Sequence, residues 1–239
     1  MTPPVLPPFH RRLIESVLGR CEEYGLFLAG AYAMKAHGLV DRPSRGLDLV
    51  TTGPLPAGRV AAQIAEDYRA RGLEVETATG DEGSARLVVT DPASAESCEI
   101  DIMAASLSVT PTVLGSCPVV GFPVVGFPVV GFDDAIGLRM REVHGRGVAR
   151  DLIDAASLAD IYGFERLEWL GRSHEPDFSL ERLAARLESA ELRDDAEFAE
   201  YGLDHEEVLR VKRFAAEWAQ DINLRLLEET PYEDDPDDP

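Results

Sequence analysis

The residues best placed to do chemistry are a glycine turn and an aspartate some eighteen positions later. Leu26-Phe-Leu-Ala29 reads as a short buried strand, and Gly30-Ala31 opens a helix that runs to Gly38. The N–H groups in the first turn of a helix lack partners within it and suit a phosphate. Asp48 lies in the next apolar run, Gly46-Leu-Asp-Leu-Val-Thr51. A carboxylate on a strand beside such a turn can hold a divalent metal against a triphosphate. Two carboxylates at i and i+2 of one strand face the same side and can share metals. Here i is Gly46 and offers no ligand, so Asp48 would work with waters and phosphate oxygens. A strand-end carboxylate that merely closes a neighbouring turn would read the same way.

A second pair of acids recurs later. Glu99 and Asp101 alternate with Cys98, Ile100 and Ile102. Unpaired carboxylates are costly to bury, so their face either meets solvent or meets a site. Asp101 is the first candidate on that face and Glu99 the reserve. Ser44 could reach a phosphate or hold the turn before the strand. The five histidines are scattered, with no metal-ligand or triad spacing.

The stretch from Phe27 to Val50 resembles the start of the AbiEii/AbiGii-type nucleotidyltransferases, the toxin halves of abortive-infection and toxin–antitoxin pairs. Their pattern is a hydrophobic strand, Gly-Gly or Gly-Ser, a helix, then Arg-x-Ser/Thr-x-Asp-x-Asp. This chain has Gly30-Ala31 and Arg42-Pro43-Ser44-Arg45-Gly46-Leu47-Asp48: the second Asp matches and the first is Gly46. A second block, Asp134 to Asp154, resembles the family's later motifs, a helical Lys followed by Arg-Asp-x-x-Asp on the next helix. Arg139 stands where that Lys is expected, and Arg150, Asp151 and Asp154 match as they are. An Arg for a Lys is not a conservative exchange at a phosphate, because the planar fork differs from a point charge.

The resemblance implies Mg²⁺-dependent transfer of a nucleoside monophosphate from an NTP to tRNA or another acceptor, such as a protein side chain. It implies a cognate antitoxin as partner. It assigns Asp48, Asp101, Arg139 and Asp154 to catalysis, and Asp48 and Asp101 to the metal. Gly30, Ala31, Ser44, Arg45, Arg150 and Asp151 fall to nucleotide binding. The alternative is a nucleotidyltransferase-fold pseudoenzyme, its chemistry lost with Gly46, acting as a nucleotide-binding or protein-interaction module. Gly46→Asp would rebuild the pair and raise transfer, unless position 46 is too tight for a side chain.

Composition bounds these readings. The 239 residues suffice for a sizeable core, and 45% are hydrophobic. Formal net charge is −21. Residues 1–163 carry 14 Lys and Arg against 21 Asp and Glu, a net of −7; residues 164–239 carry 9 against 23, a net of −14. Bulk DNA binding is therefore not expected. Cys21, Cys98 and Cys117 show no metal-type spacing and argue for a reducing compartment. No apolar run long enough to span a membrane and no signal-like start is present, so the expected location is cytoplasmic.

The expected fold class is α/β of the α+β kind: a small mixed sheet with flanking helices, followed by a helical C-terminal part. Residues 1–132 form the core, 133–229 a helical region completing the site, and 230–239 a disordered acidic tail. Within the core, helices are expected at His10–Tyr24 and Ala57–Arg71, and strands at Leu73–Ala78, Ala85–Thr90 and Cys98–Met103. Further helices are expected at Asp133–Arg146, Val148–Tyr162, Leu180–Glu191 and Glu206–Glu228, with Ser179 as an N-cap. Val119-Val-Gly-Phe-Pro repeats with a period of five up to Phe132, too short for a repeat fold. Only the last copy, Val129–Phe132, is expected to pack in the core.

Overall fold

The computed structural model describes residues 6–78, 83–108, 112–113, 127–159 and 161–229. The expected tail at 230–239, Cys117 and the repeat from Val119 to Gly126 lie outside the described residues. The chain divides into two compact units, Met1–Arg139 and Met140–Pro239.

The first unit is built on a mixed sheet. Its strands are β1 (Leu26–Leu28), β2 (Gly46–Thr51), β3 (Glu74–Ala78), β4 (Ser84–Thr90), β5 (Ser97–Ala104), β6 (Thr112–Val113) and β7 (Pro128–Val129). Their order across the sheet is β3-β4-β5-β2-β1-β7-β6. β2 and β5 pair in parallel, which requires a long crossover; helix, β3 and β4 supply it. The hairpin β4–β5 pairs Thr90 with Ser97 and, further along, Arg86 with Asp101.

Among the described residues, four α-helices belong wholly to this unit: α1 (Pro8–Val17), α2 (Cys21–Tyr24), α3 (Gly30–Ala36) and α4 (Ala57–Arg69). The single helix expected over His10–Tyr24 is broken by a 3₁₀ turn at Leu18–Arg20, where Gly19 weakens the α pattern. α4 buries Ala57, Val60, Ala61, Ile64, Ala65 and Tyr68 against β3, β4 and β5. The facing positions alternate as a half-covered sheet demands: Leu87 and Val89, Ile100 and Ile102, and Leu47 and Leu49 are all buried. Arg86, Glu99, Asp101, Gly46 and Asp48 therefore share the other face.

The repeat corrects an expectation. Val129 and Val130 of the last copy are buried, and the Val130 N–H donates to the Leu28 carbonyl at 3.1 Å. Phe127, from the copy before, is also fully buried, and Pro128 begins β7. Two copies thus contribute to the core, because β7 starts one residue before the last copy does.

α5 (Phe132–Gly145) runs across the boundary between units. The second unit continues with α6 (Ala149–Ala156), α7 (Phe164–Arg172), α8 (Leu180–Glu188), α9 (Asp195–Ala199) and α10 (His205–Glu229). α10 is its strut and packs on α6, α8 and α9. It buries Val208, Val211, Ala215, Trp218, Ala219 and Ile222, one stripe at helical spacing. Ser179 caps α8 as expected, its side chain accepting from the Arg182 N–H at 3.1 Å. α6 ends at Ala156, short of the expected Tyr162, and α7 and α9 were not expected. Both are short and rely on tertiary packing rather than on a long periodic stretch.

Candidate active site

β2 and β5 lie side by side in parallel, with Asp48 opposite Asp101 and Gly46 opposite Glu99. Register partners on adjacent parallel strands point to the same face, about 4.8 Å apart along the hydrogen-bonding direction. The two candidate carboxylates from separate sequence blocks are thus neighbours on the face not covered by α4. Asp48 is half-buried, and Asp101 keeps 20% of its side chain exposed.

Gly30 and Asp48 are fitted to one another. Gly30 has φ +56°, and a β-carbon there would fall inside the Asp48 carboxyl group, 2.7 Å from its Cβ. Only glycine allows both the left-handed turn and this approach. The Ala29 N–H donates to the Asp48 carbonyl at 2.8 Å, so backbone and side chain together bring the turn against the strand. Ala31 is buried in the first turn of α3.

Gly46 is also tightly placed, for a different reason. A β-carbon at position 46 would lie 2.6 Å from the Glu99 carbonyl oxygen of β5. The obstruction is backbone, which cannot rotate away. The close β2–β5 approach at this level is built around the glycine.

Asp101 is already engaged. Arg86 on β4 donates from Nε to Asp101 Oδ1 at 2.6 Å and from Nη2 to Oδ2 at 2.9 Å, a bidentate fork. Its Nη1 also lies 3.4 Å from Glu99 Oε2. Arg86, Asp101 and Asp48 form a row across β4, β5 and β2. Arg86 was not among the residues singled out from sequence. The available signal was its polar place in the alternation Ala85-Arg-Leu-Val-Val89, one hairpin before Glu99 and Asp101. Register converts that signal into a contact, and register depends on the turn.

Behind the site, burial sets the chemistry. Burial, with smaller contributions from the Asp48 and Glu99 charges, pushes the Cys98 thiol up to about 12. That thiol stays protonated and packs as a small apolar group. Tyr32 of α3 is buried and its hydroxyl is pushed up by burial first, then by Cys98 and Asp48. It bonds His10 Nδ1 at 2.7 Å, tying α1 to α3.

The remaining candidates hold varied places. Ser44 Oγ donates to the Gly46 carbonyl at 3.0 Å and holds the turn before β2. Arg42 is buried and donates to the Pro43 carbonyl at 3.0 Å, whereas Arg45 is exposed. Arg139 is buried on α5. In the second unit, Asp154 is fully buried on α6. Asp151, also fully buried, accepts from Arg146 Nε at 2.8 Å and from the Val148 N–H at 3.3 Å, closing the start of that helix. Arg150 lies 3.8 Å from Asp151.

Among the described residues no three His, Cys, Asp or Glu side chains form a group able to hold a metal ion. Asp48 and Asp101 are a set of two hard oxygen donors. Such a pair suits one Mg²⁺ that keeps several of its waters. No described helix is long and apolar enough to cross a membrane.

The sequence model of the family described as "Nucleotidyl transferase AbiEii toxin, Type IV TA system" matches residues 22–237. No curated protein sequence matches the chain. The structure is similar to MenT4, a nucleotidyltransferase toxin from Mycobacterium tuberculosis. That match has a TM-score of 0.51 at 16% identity and covers 92% of this chain and 91% of that one. It is also similar to JHP933 from Helicobacter pylori, with a TM-score of 0.46 at 16% identity over 92% and 94% of the two chains.

Proposed function

The chain belongs to the AbiEii nucleotidyltransferase toxin family, and from that premise we propose that it transfers a nucleoside monophosphate from an NTP to an acceptor. The observation that carries the proposal is the seating of Asp48 against Gly30, with Asp101 beside it on β5. Gly30 lets the turn approach the Asp48 carboxyl group closely, so a cation on Asp48 would lie beside the first turn of α3. Asp48 and Asp101 would hold the divalent cation that nucleotidyltransferases generally use, Mg²⁺ in this proposal. Bound there, the cation would supply positive charge to the triphosphate and to the departing pyrophosphate. By family resemblance, Ala31, Ser44 and Arg45 serve nucleotide binding together with Gly30. Arg139 and Asp154 are assigned to catalysis, and Arg150 and Asp151 to nucleotide binding, by family resemblance alone.

The acceptor is the 3′ end of tRNA or, second, a protein side chain. The net charge of −21 favours a small RNA footprint over a broad one. Growth arrest relieved by a cognate antitoxin is the physiological counterpart.

A second reading is favoured by Gly46, which brings no carboxylate and has no room for one. In it, the chain binds a nucleotide without turning it over. Incubation with each α-labelled NTP, Mg²⁺ and cell extract separates the two. The transferase reading expects labelled RNA or protein, lost in Asp48→Ala. Nucleotide binding without label from any of the four NTPs would leave the second reading standing.

A further inference from the structure

We propose that Arg86 holds the place of a cation in the substrate-free site and becomes a phosphate ligand when metal and nucleotide enter. The inference rests on the reading of Asp48 and Asp101 as the cation-binding pair. Both Asp101 oxygens accept from Arg86, at 2.6 and 2.9 Å. Each oxygen keeps a second lone pair, so a divalent cation on Asp101 need not expel Arg86, but the two positive groups crowd one carboxylate and repel each other.

The geometry makes the exchange easy. The Arg86 side chain is 42% exposed, and Glu99 already offers its Nη1 a second carboxylate at 3.4 Å. Solvent screens a half-exposed fork, and Glu99 gives the turning guanidinium a partner, so release from Asp101 costs far less than at a buried pair. The row Arg86, Asp101, Asp48 then places a planar fork one strand from the cation, where the nucleotide's phosphates are brought. Guanidinium groups bind phosphate oxygens in the same bidentate manner as carboxylates. With Gly46 contributing no acid, a protein cation that can turn from carboxylate to phosphate supplies charge that a second metal would otherwise bring.

Two consequences follow. Metal alone should bind weakly, because Arg86 already neutralises Asp101 and repels a second cation there. Metal and nucleotide should help one another bind, because the nucleotide gives Arg86 a new partner.

Mn²⁺ binding followed by electron paramagnetic resonance, with and without each NTP, tests this in the full chain. Arg86→Met should tighten Mn²⁺ binding without nucleotide and weaken nucleotide binding in the presence of Mn²⁺, each by about tenfold, as loss of a charged bidentate contact predicts. Arg86→Lys, which keeps the charge and loses the fork, should fall between, and it decides the matter if the Met variant does not fold. Unchanged or weaker Mn²⁺ binding in the substituted protein would overturn the inference, as would unchanged nucleotide binding. If the wild-type protein labels an acceptor while Arg86→Met binds both ligands as the wild type does, only this inference fails. If the binding shifts appear but no acceptor is ever labelled, only the transferase reading fails. Absence of Asp48-dependent Mn²⁺ binding in the wild type would remove both.

Discussion

Two arginine–carboxylate forks of nearly the same geometry sit in opposite surroundings in this chain. On the sheet, Arg86 grips Asp101 at 2.6 and 2.9 Å, with side chains 42% and 20% exposed. In the helical unit, Arg225 grips Glu168 at 2.6 and 3.0 Å, and there the carboxylate is only 4% exposed. Glu168 also accepts from the Trp218 indole N–H at 2.9 Å, and Trp218 stacks on Phe164 with ring centroids 5.3 Å apart. Of the partners of Glu168, Trp218 is fixed in a packed core, and Arg225 reaches in from the edge, where it also bonds Asp221. Asp101 instead stands beside a second carboxylate on an open face. The same bond is a fastener where its surroundings are complete and an exchangeable contact where they are not.

The largest expected effect tests the fastener. Glu168→Ala leaves the fully buried Trp218 N–H without its acceptor and leaves Arg225, 26% exposed, with Asp221 alone. The expected loss is about 3 kcal/mol in chemical denaturation, the upper end of the range for leaving a buried donor unsatisfied. Asp101→Asn should cost about 1 kcal/mol, as a solvent-screened pair does, while removing nucleotide transfer. Similar stability losses for the two variants would break the comparison. A large Asp101 loss would show that the sheet fork is structural too.

A smaller effect is expected at Gly46. The sequence pattern makes Gly46→Asp a repair of the missing carboxylate. The structure replaces that expectation, because the β-carbon itself meets the Glu99 carbonyl oxygen at 2.6 Å. Gly46→Asp should lose about 1–3 kcal/mol, as overpacking does, with no gain in transfer. Gly46→Ala should lose nearly as much, since it carries the same β-carbon. A stable, faster Gly46→Asp variant would mean that β5 moves aside, and that the site is more open than the register implies.

How much of this was legible beforehand follows from what each feature depends on. β2 was readable to the residue, because Gly46–Thr51 is an apolar run bounded by turn residues. The covered face of β4 and β5 was readable from alternation alone. Asp48 and Asp101 could be singled out, but their adjacency required a parallel pairing between strands separated by α4, β3 and β4. Arg86 required register as well. The tightness at Gly46 was invisible, because it depends on a backbone atom fifty-three positions away. α7 was missed because its order comes from Phe164 and Glu168 meeting Trp218 and Arg225 some fifty residues later.

The smallest expected effect concerns a buried neutral group in the helical unit, and it sharpens the same contrast. His144 is buried, stacks on Phe178 at 4.6 Å, and its Nε2 accepts from the Ser179 N–H at 3.1 Å. That bond fixes the proton on Nδ1 and needs a neutral ring. Burial, then the Arg182 and Arg186 charges against an opposing Glu175, lowers its pKa below the usual 6.5. The folded state therefore resists protonation more than the unfolded state does. Below pH 6.5 the unfolded chain binds more protons, so stability is full above that pH and falls as pH drops towards the lower folded value. His144→Gln keeps an acceptor for Ser179 and cannot titrate. Between pH 7 and pH 5 the wild type should lose roughly 2–4 °C more in Tm than this variant, the shift that about 1 kcal/mol gives in a chain of this size. His10, also lowered mainly by burial, titrates in both proteins and cancels in the difference. Parallel Tm curves would show that the His144 pocket opens to water as readily as the sheet face does, and the line drawn between fixed and exchangeable polar groups would have to move.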